Sequence, residues 1–182
     1  MQLGKYILLF FVLISPNTLF GQWFDKGGKE IPDSEWRKTK QNFSCMLLLS
    51  SKPDQFLKAW GKPVDGVSIH TTDEITKGNT LTVFIMFLGC PVNQAGLCNT
   101  VADYTILKPD GSIYANVKNA ELWQGKKPMG KGKLGLGVDY LELKIEPKDP
   151  LGVYIIKTAI KDLNTNITLE LERPITVLKS AK

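Results

Sequence analysis

Asp149-Pro150-Leu151-Gly152-Val153-Tyr154-Ile155-Ile156-Lys157-Thr158-Ala159-Ile160-Lys161-Asp162 is the stretch whose reading decides the fold. Past the Pro150 to Gly152 turn, Tyr154, Ile156, Thr158 and Ile160 line one side of the chain. A period of two is the mark of a β-strand with one face turned inward. Downstream, Ile167, Leu169 and Leu171 alternate with Thr168, Glu170 and Glu172. Pro174 interrupts that last strand and lacks a backbone donor, so it calls for an edge or a bulge. Upstream, Leu141, Leu143 and Ile145 alternate with Glu142, Lys144 and Glu146, again one dry and one wet face.

Earlier segments extend the same pattern. Leu81-Thr82-Val83-Phe84-Ile85-Met86-Phe87-Leu88 is apolar at nearly every position, as a central strand covered on both faces would be. Val101 to Leu107 and Ser112 to Val117 read as two strands joined by Pro109-Asp110-Gly111. Pro presets φ in that turn and Gly supplies a positive φ. Residues 125–137, with Gly125, Gly130, Gly132, Gly135, Gly137 and Pro128, read as a long loop. Residues 43–49 read as the first strand. Between them, Pro53 suits a first helical position, Asp54 the positive helix end and Gly61 the stop. Phe56, Leu57 and Trp60 share one face of this short helix. The expected fold is all-β: an antiparallel sandwich with one short N-terminal helix.

The N-terminus reads as a targeting segment. Lys5 precedes the apolar run Tyr6 to Ile14, which Ser15-Pro16-Asn17 ends. That run is too short to span a bilayer and has the layout of a secretory signal peptide. Gly21 offers a cleavage position. The expected organisation is residues 1–21 as signal peptide, 22–42 as a flexible arm and 43–182 as the sandwich. No second long apolar stretch follows, so no transmembrane segment is expected after cleavage. Export to the periplasm is expected, or secretion if the cell is Gram-positive. The net charge of +5 over 182 residues is mild and spread out. It favours anionic envelope partners slightly and does not suggest nucleic acid.

Cys90 and Cys98 flank the loop Gly89 to Cys98, rich in Pro, Asn and Gly. In an oxidising compartment such a pair forms a disulfide. A metal would need two more soft ligands, and only Cys45 and His70 remain, neither in a paired ligand motif. No metal or cofactor is expected. Cys45 lies in an apolar run and reads as a buried thiol, with a reactive or intermolecular cysteine as the alternative.

Gly152-x-Tyr154 after a turn resembles the sixth strand of immunoglobulin-like domains. There the tyrosine hydroxyl ties back to the preceding corner, and the resemblance gives Gly152 and Tyr154 structural roles. Ile156 stands where the antibody-type cysteine would be, so that inter-sheet bridge is absent. More broadly, residues 43–178 resemble a group of uncharacterised exported bacterial proteins. The matching features are Pro53-Asp54-x-Phe56-x-x-x-Trp60, the Gly89-Cys90…Gly96-x-Cys98 loop, Leu107-x-Pro109-Asp110-Gly111, Glu121-Leu122-Trp123 and Ile145-Glu146-Pro147-x-Asp149-Pro150. The resemblance implies an immunoglobulin-like β-sandwich in the periplasm and no particular activity.

Two nucleotide-site look-alikes fail. Gly130-Lys131-Gly132-Lys133-Leu134-Gly135 matches a dinucleotide fingerprint in letters, but a strand follows where a helix is required. Gly125 to Lys131 nearly matches a phosphate-binding loop, but Gly132 replaces the Ser or Thr. The same loop, with Lys126, Lys127, Lys131 and Lys133 beside Trp123, is the candidate contact for a protein or an acidic envelope component. Its plainer reading is a solvated loop. His70 with Asp73 or Glu74, or a carboxylate pair drawn from Asp103, Glu121 and Asp139, would serve a hydrolytic enzyme. No catalytic residue is assigned. The favoured expectation is a non-enzymatic envelope binding or structural module. The alternatives are that hydrolase and an export or adhesion subunit that pairs through the Pro174 edge.

Overall fold

The computed structural model describes Trp23, residues 29–61 and residues 71–179. The expected signal peptide and His70 lie outside the described residues. Strands form two sheets of five. In the first, the order is β1 (Arg37–Lys40), β2 (Phe43–Ser50), β4 (Thr80–Leu88) and β7 (Gly135–Leu136), with β8 (Leu141–Lys144) also paired to β4. In the second, the order is β3 (Glu74–Thr76), β10 (Thr168–Leu178), β9 (Gly152–Asp162), β5 (Cys98–Leu107) and β6 (Ile113–Lys126). The helix α1 spans Pro53–Trp60. Named strand pairs are antiparallel except β3, which runs parallel to β10. The antiparallel expectation thus fails at that one pair.

One core joins both sheets. From the first come Phe43, Leu47, Leu81, Val83, Ile85 and Phe87, and from the second Tyr104, Ile106, Tyr154, Ile156, Ile160, Leu169 and Leu171. Each fully buried large apolar side chain contributes roughly 1.5–3 kcal/mol over exposure. Strand β4 is apolar on both sides because two cores flank it. Phe84 and Met86 face away from the main core and meet Leu48, Trp23 and Phe56 of α1. The Phe56 and Phe84 rings lie 4.7 Å apart. Leu57 and Trp60 pack against the same cluster, as their spacing with Phe56 requires.

Part of the expected arm is ordered structure. Residues 37–40 form β1 and pair with β2, and Trp23 is buried. Strand β6 continues well past Val117, through Trp123 to Lys126, and β7 falls inside the expected 125–137 loop. Gly135 can sit in β7 because a side chain there would overlap the Phe87 ring.

At Pro174 the structure explains a proline in a long strand. The Glu172 N–H donates to the Glu35 carbonyl at 2.7 Å, and the Thr176 N–H to the Asp73 carbonyl at 2.8 Å. Residue 174 points to the same side between them, before the pairing with β3 begins at Thr176, and a proline leaves no donor there unsatisfied. Around Pro174 the outer side of β10 is thus engaged by residues 35 and 73 and by β3, while pairing through the rest of that border stays an expectation.

Candidate functional site

The β9 alternation that fills the core has a second consequence on the opposite face. Lys157, Ala159 and Lys161 stand there between Asp103 and Thr105 of β5 and Glu170 and Glu172 of β10. Ala159 is the cross-strand partner of both Asp103 and Glu170. Its short side chain leaves a depression among longer ones. The segment before β1 forms one wall, fixed by the Glu35–Glu172 backbone bond. The result is a cleft of about 400 Å³ whose rim carries Glu35, Lys38, Lys118 and Lys157. A smaller hollow of about 320 Å³, lined by Asp33, Lys40 and Thr168, adjoins it, and both share Lys38 and Glu170.

The electrostatics of the floor are set by Asp103. Its Oδ2 accepts from Lys161 at 2.6 Å and Lys118 at 3.2 Å, and its Oδ1 from the Asn119 N–H at 2.9 Å. Burial alone would raise this carboxyl. The hydrogen bond from Lys161, with those from Asn119 and Lys118, outweighs it and holds the pKa at about 2. Lys157 and Glu172 pair at 3.3 Å across the strands. The cleft is thus a rigid sheet face with opposite charges fixed on it.

Asp103 apart, the residues picked from sequence sit elsewhere. Cys90 and Cys98 are joined in a disulfide, and Asn164 Nδ2 donates to the carbonyls of Pro91 and Leu97 within that loop, both at 3.0 Å. Trp123 is half-buried and its ring lies 5.6 Å from that of Phe87. Its Nε1 donates to the Lys127 carbonyl at 2.9 Å. Lys126 lies 5.5 Å from the Trp123 ring centroid and is paired with Glu121. The hydrogen bond from Lys126 lowers the Glu121 pKa. Lys127, Lys131 and Lys133 are exposed. Trp123 and Lys126 are thus both engaged by neighbouring groups of the chain.

Asp103, Glu121 and Asp139 do not form one acid pair. Asp139 accepts from the Glu121 backbone N–H at 2.6 Å, while Asp103 lies among the lysines of the cleft. Cys45 is fully buried in the main core, and burial pushes its thiol pKa up, which leaves it inert. Tyr154 is buried and its hydroxyl donates to the Pro150 carbonyl at 3.2 Å. Gly152 has φ of +125° and lies against Pro109, a conformation that favours glycine. Among the described residues, no group of three or more His, Cys, Asp or Glu is placed to hold a metal, and no helix is long and apolar enough to cross a membrane.

No family model matches the chain, and no curated protein matches it. Solved structures give distant likenesses. A Niemann-Pick type C2 protein from the Japanese carpenter ant is 13% identical over 58% of this chain and 79% of that one, at a TM-score of 0.36. A family 123 glycoside hydrolase from Clostridium perfringens is 9% identical over 75% of this chain and 28% of its own, at 0.40. The CARDB domain of a Pyrococcus furiosus protein, in complex with di-metal ions, is 13% identical over 82% and 100%, at 0.37. At such scores the likenesses carry no argument about fold or function.

Proposed function

We propose that this chain is an exported, non-enzymatic binding module of the cell envelope, built on an immunoglobulin-like β-sandwich, that engages its partner at the Ala159 cleft. The observation that carries the reading is the cleft itself: a depression on the β10-β9-β5 face, lined by charged side chains and walled by the segment before β1. The immunoglobulin-like assignment rests on the Tyr154–Pro150 tie and on two five-stranded sheets that share one core. Export rests on the signal-peptide pattern, and the Cys90–Cys98 bridge fits an oxidising compartment.

A binding role suits this chemistry better than a hydrolytic one. A general acid needs a pKa near the working pH, whereas Asp103 is held at about 2 by its lysines. The test fills the depression. Ala159→Arg should abolish binding of the purified mature protein to isolated envelope fractions while the fold, followed by circular dichroism, persists. Reversing Lys127 and Lys133 in the loop should leave binding intact. The opposite pattern would place the contact on the Lys126 to Lys133 loop and sink the cleft reading.

A further inference from the structure

The sheet face that holds the cleft extends beyond it. Strand β9 turns Tyr154, Ile156 and Ile160 into the core, so Val153, Ile155, Lys157 and Ala159 point outward. Strand β10 turns in Leu169, Leu171, Ile175 and Val177, so Glu170, Glu172, Pro174 and Thr176 share that outer face. The register sets Ile155 opposite Pro174, Lys157 opposite Glu172 and the short Ala159 opposite the long Glu170. The apolar row at Ile155 runs on across the sheet, because Ile155 also faces Leu107 of β5, and Leu107 faces Ile113 of β6. Ile113 is 60% exposed and Val153 46%, so the row lies open to solvent. An open apolar row beside charges of both signs is the make-up of a protein contact. A surface of one charge sign, such as an anionic lipid layer, finds no favoured side here, since carboxylates and ammonium groups alternate along the face.

We infer that the occupant of this face is a second copy of the chain, seated about a two-fold axis that runs along the strands above the line between β9 and β10. This rests on the reading of the cleft as the contact surface and names what fills it. Such an axis exchanges the two strands at constant height. Residues that are opposite within one sheet therefore meet again between the copies, and every contact occurs twice. Lys157 of each copy falls on Glu172 of the other, and Ile155 on Pro174. The Glu170 side chain of each reaches over the other's Ala159 depression. No like charges meet along these two strands. The wall before β1 then lies over the other copy's β5, where Asp103 is sunk in the floor. A contact confined to one sheet face is small beside a permanent interface, so the dimer is weak and forms with rising concentration.

The test is sedimentation velocity of the mature protein from micromolar to millimolar concentration. The native chain should pass from monomer to dimer over that range. Lys157→Glu sets like charges face to face at both contacts, and so does Glu172→Lys. Each variant alone should dimerise at least about tenfold more weakly. The two side chains are 52% and 41% exposed, so the fold tolerates either change. An equimolar mixture of the two variants should recover the native dimer, because every contact between them joins opposite charges. Loss of the pair inside each chain cannot explain that recovery, since mixing leaves it broken. A native chain that stays monomeric, variants that dimerise as it does, or a mixture no better than its components would each overturn the inference. Binding to envelope fractions judges the cleft reading separately. A monomer that still loses that binding through Ala159→Arg overturns the second copy alone, and a monomer that keeps it overturns both.

Discussion

The guanidinium of Arg173 on β10 donates through Nη1 to the Leu47 carbonyl on β2 at 3.0 Å, a hydrogen bond that pins one sheet to the other. Its Nε and Nη2 bind Asp73 at 3.0 and 2.8 Å, and Trp36 lies 5.0 Å from its centre. Arg173 is only 8% exposed, whereas the Asp73 side chain is 68% exposed. Solvent weakens the Asp73 pair, so the buried bond and the stacked packing carry most of the effect. Arg173→Met should destabilise by about 2–3 kcal/mol and Asp73→Asn by under about 1 kcal/mol. Urea denaturation of both variants checks the ranking, and equal losses would contradict it.

Asp103 makes stability depend on acid. Its folded pKa is about 2, below the ordinary 3.8, so its contribution is complete above about pH 4 and is lost as pH falls toward 2. Asp103→Asn should cost about 1 kcal/mol at pH 6, since the partner lysines remain partly solvated. The difference in melting temperature from the native chain should close by pH 2. A gap that stays constant from pH 6 to pH 2 would show that the carboxylate charge is not its origin.

The disulfide loop is held twice, by the Cys90–Cys98 bond and by Asn164. Closing so short a loop is worth about 2–3 kcal/mol. Cys90→Ser with Cys98→Ser should lower stability by that amount, and Asn164→Ala by about 1 kcal/mol. Because both act on one loop, their combined effect should fall short of the sum. Thermal melts of the single and combined variants measure this.

Gly135 and Phe87 occupy space that only one of them can fill. Gly135→Ala should force the Phe87 ring out of the core and cost about 1–3 kcal/mol, as overpacking does. Restoring room with Phe87→Leu in the Gly135→Ala background should recover part of that loss. No recovery would mean that the backbone of β7, not the ring, meets the added methyl.

Much of this architecture is legible in the residues themselves. Alternation placed β9 and β10, and the doubly apolar run from Leu81 to Leu88 placed β4 between two cores, because burial on each side of a strand writes itself into the sequence. The Phe56, Leu57 and Trp60 stripe located α1 for the same reason. Strand β1 stayed hidden in Arg37-Lys38-Thr39-Lys40, whose charged residues carry no strand signal and pair with β2 only because the chain reverses at Gln41. The cleft was harder still. Glu170 and Glu172 announce a wet face, but a hollow arises only when Ala159 falls opposite Asp103 and Glu170, and strand register is a tertiary fact. The packing of the Trp123 ring against Phe87 was hidden for a related reason, since it too depends on which strands meet.

Pro174 bears on how these molecules coexist at high concentration. A growing stack of copies requires a continuous row of open main-chain groups onto which the next chain can lock. On this border the two nearest donors are already occupied by Glu35 and Asp73, and the place between them has no N–H to offer. The ring that looked like a flaw in the strand removes one rung from the ladder a second copy would need at the seam where the sheet changes neighbours.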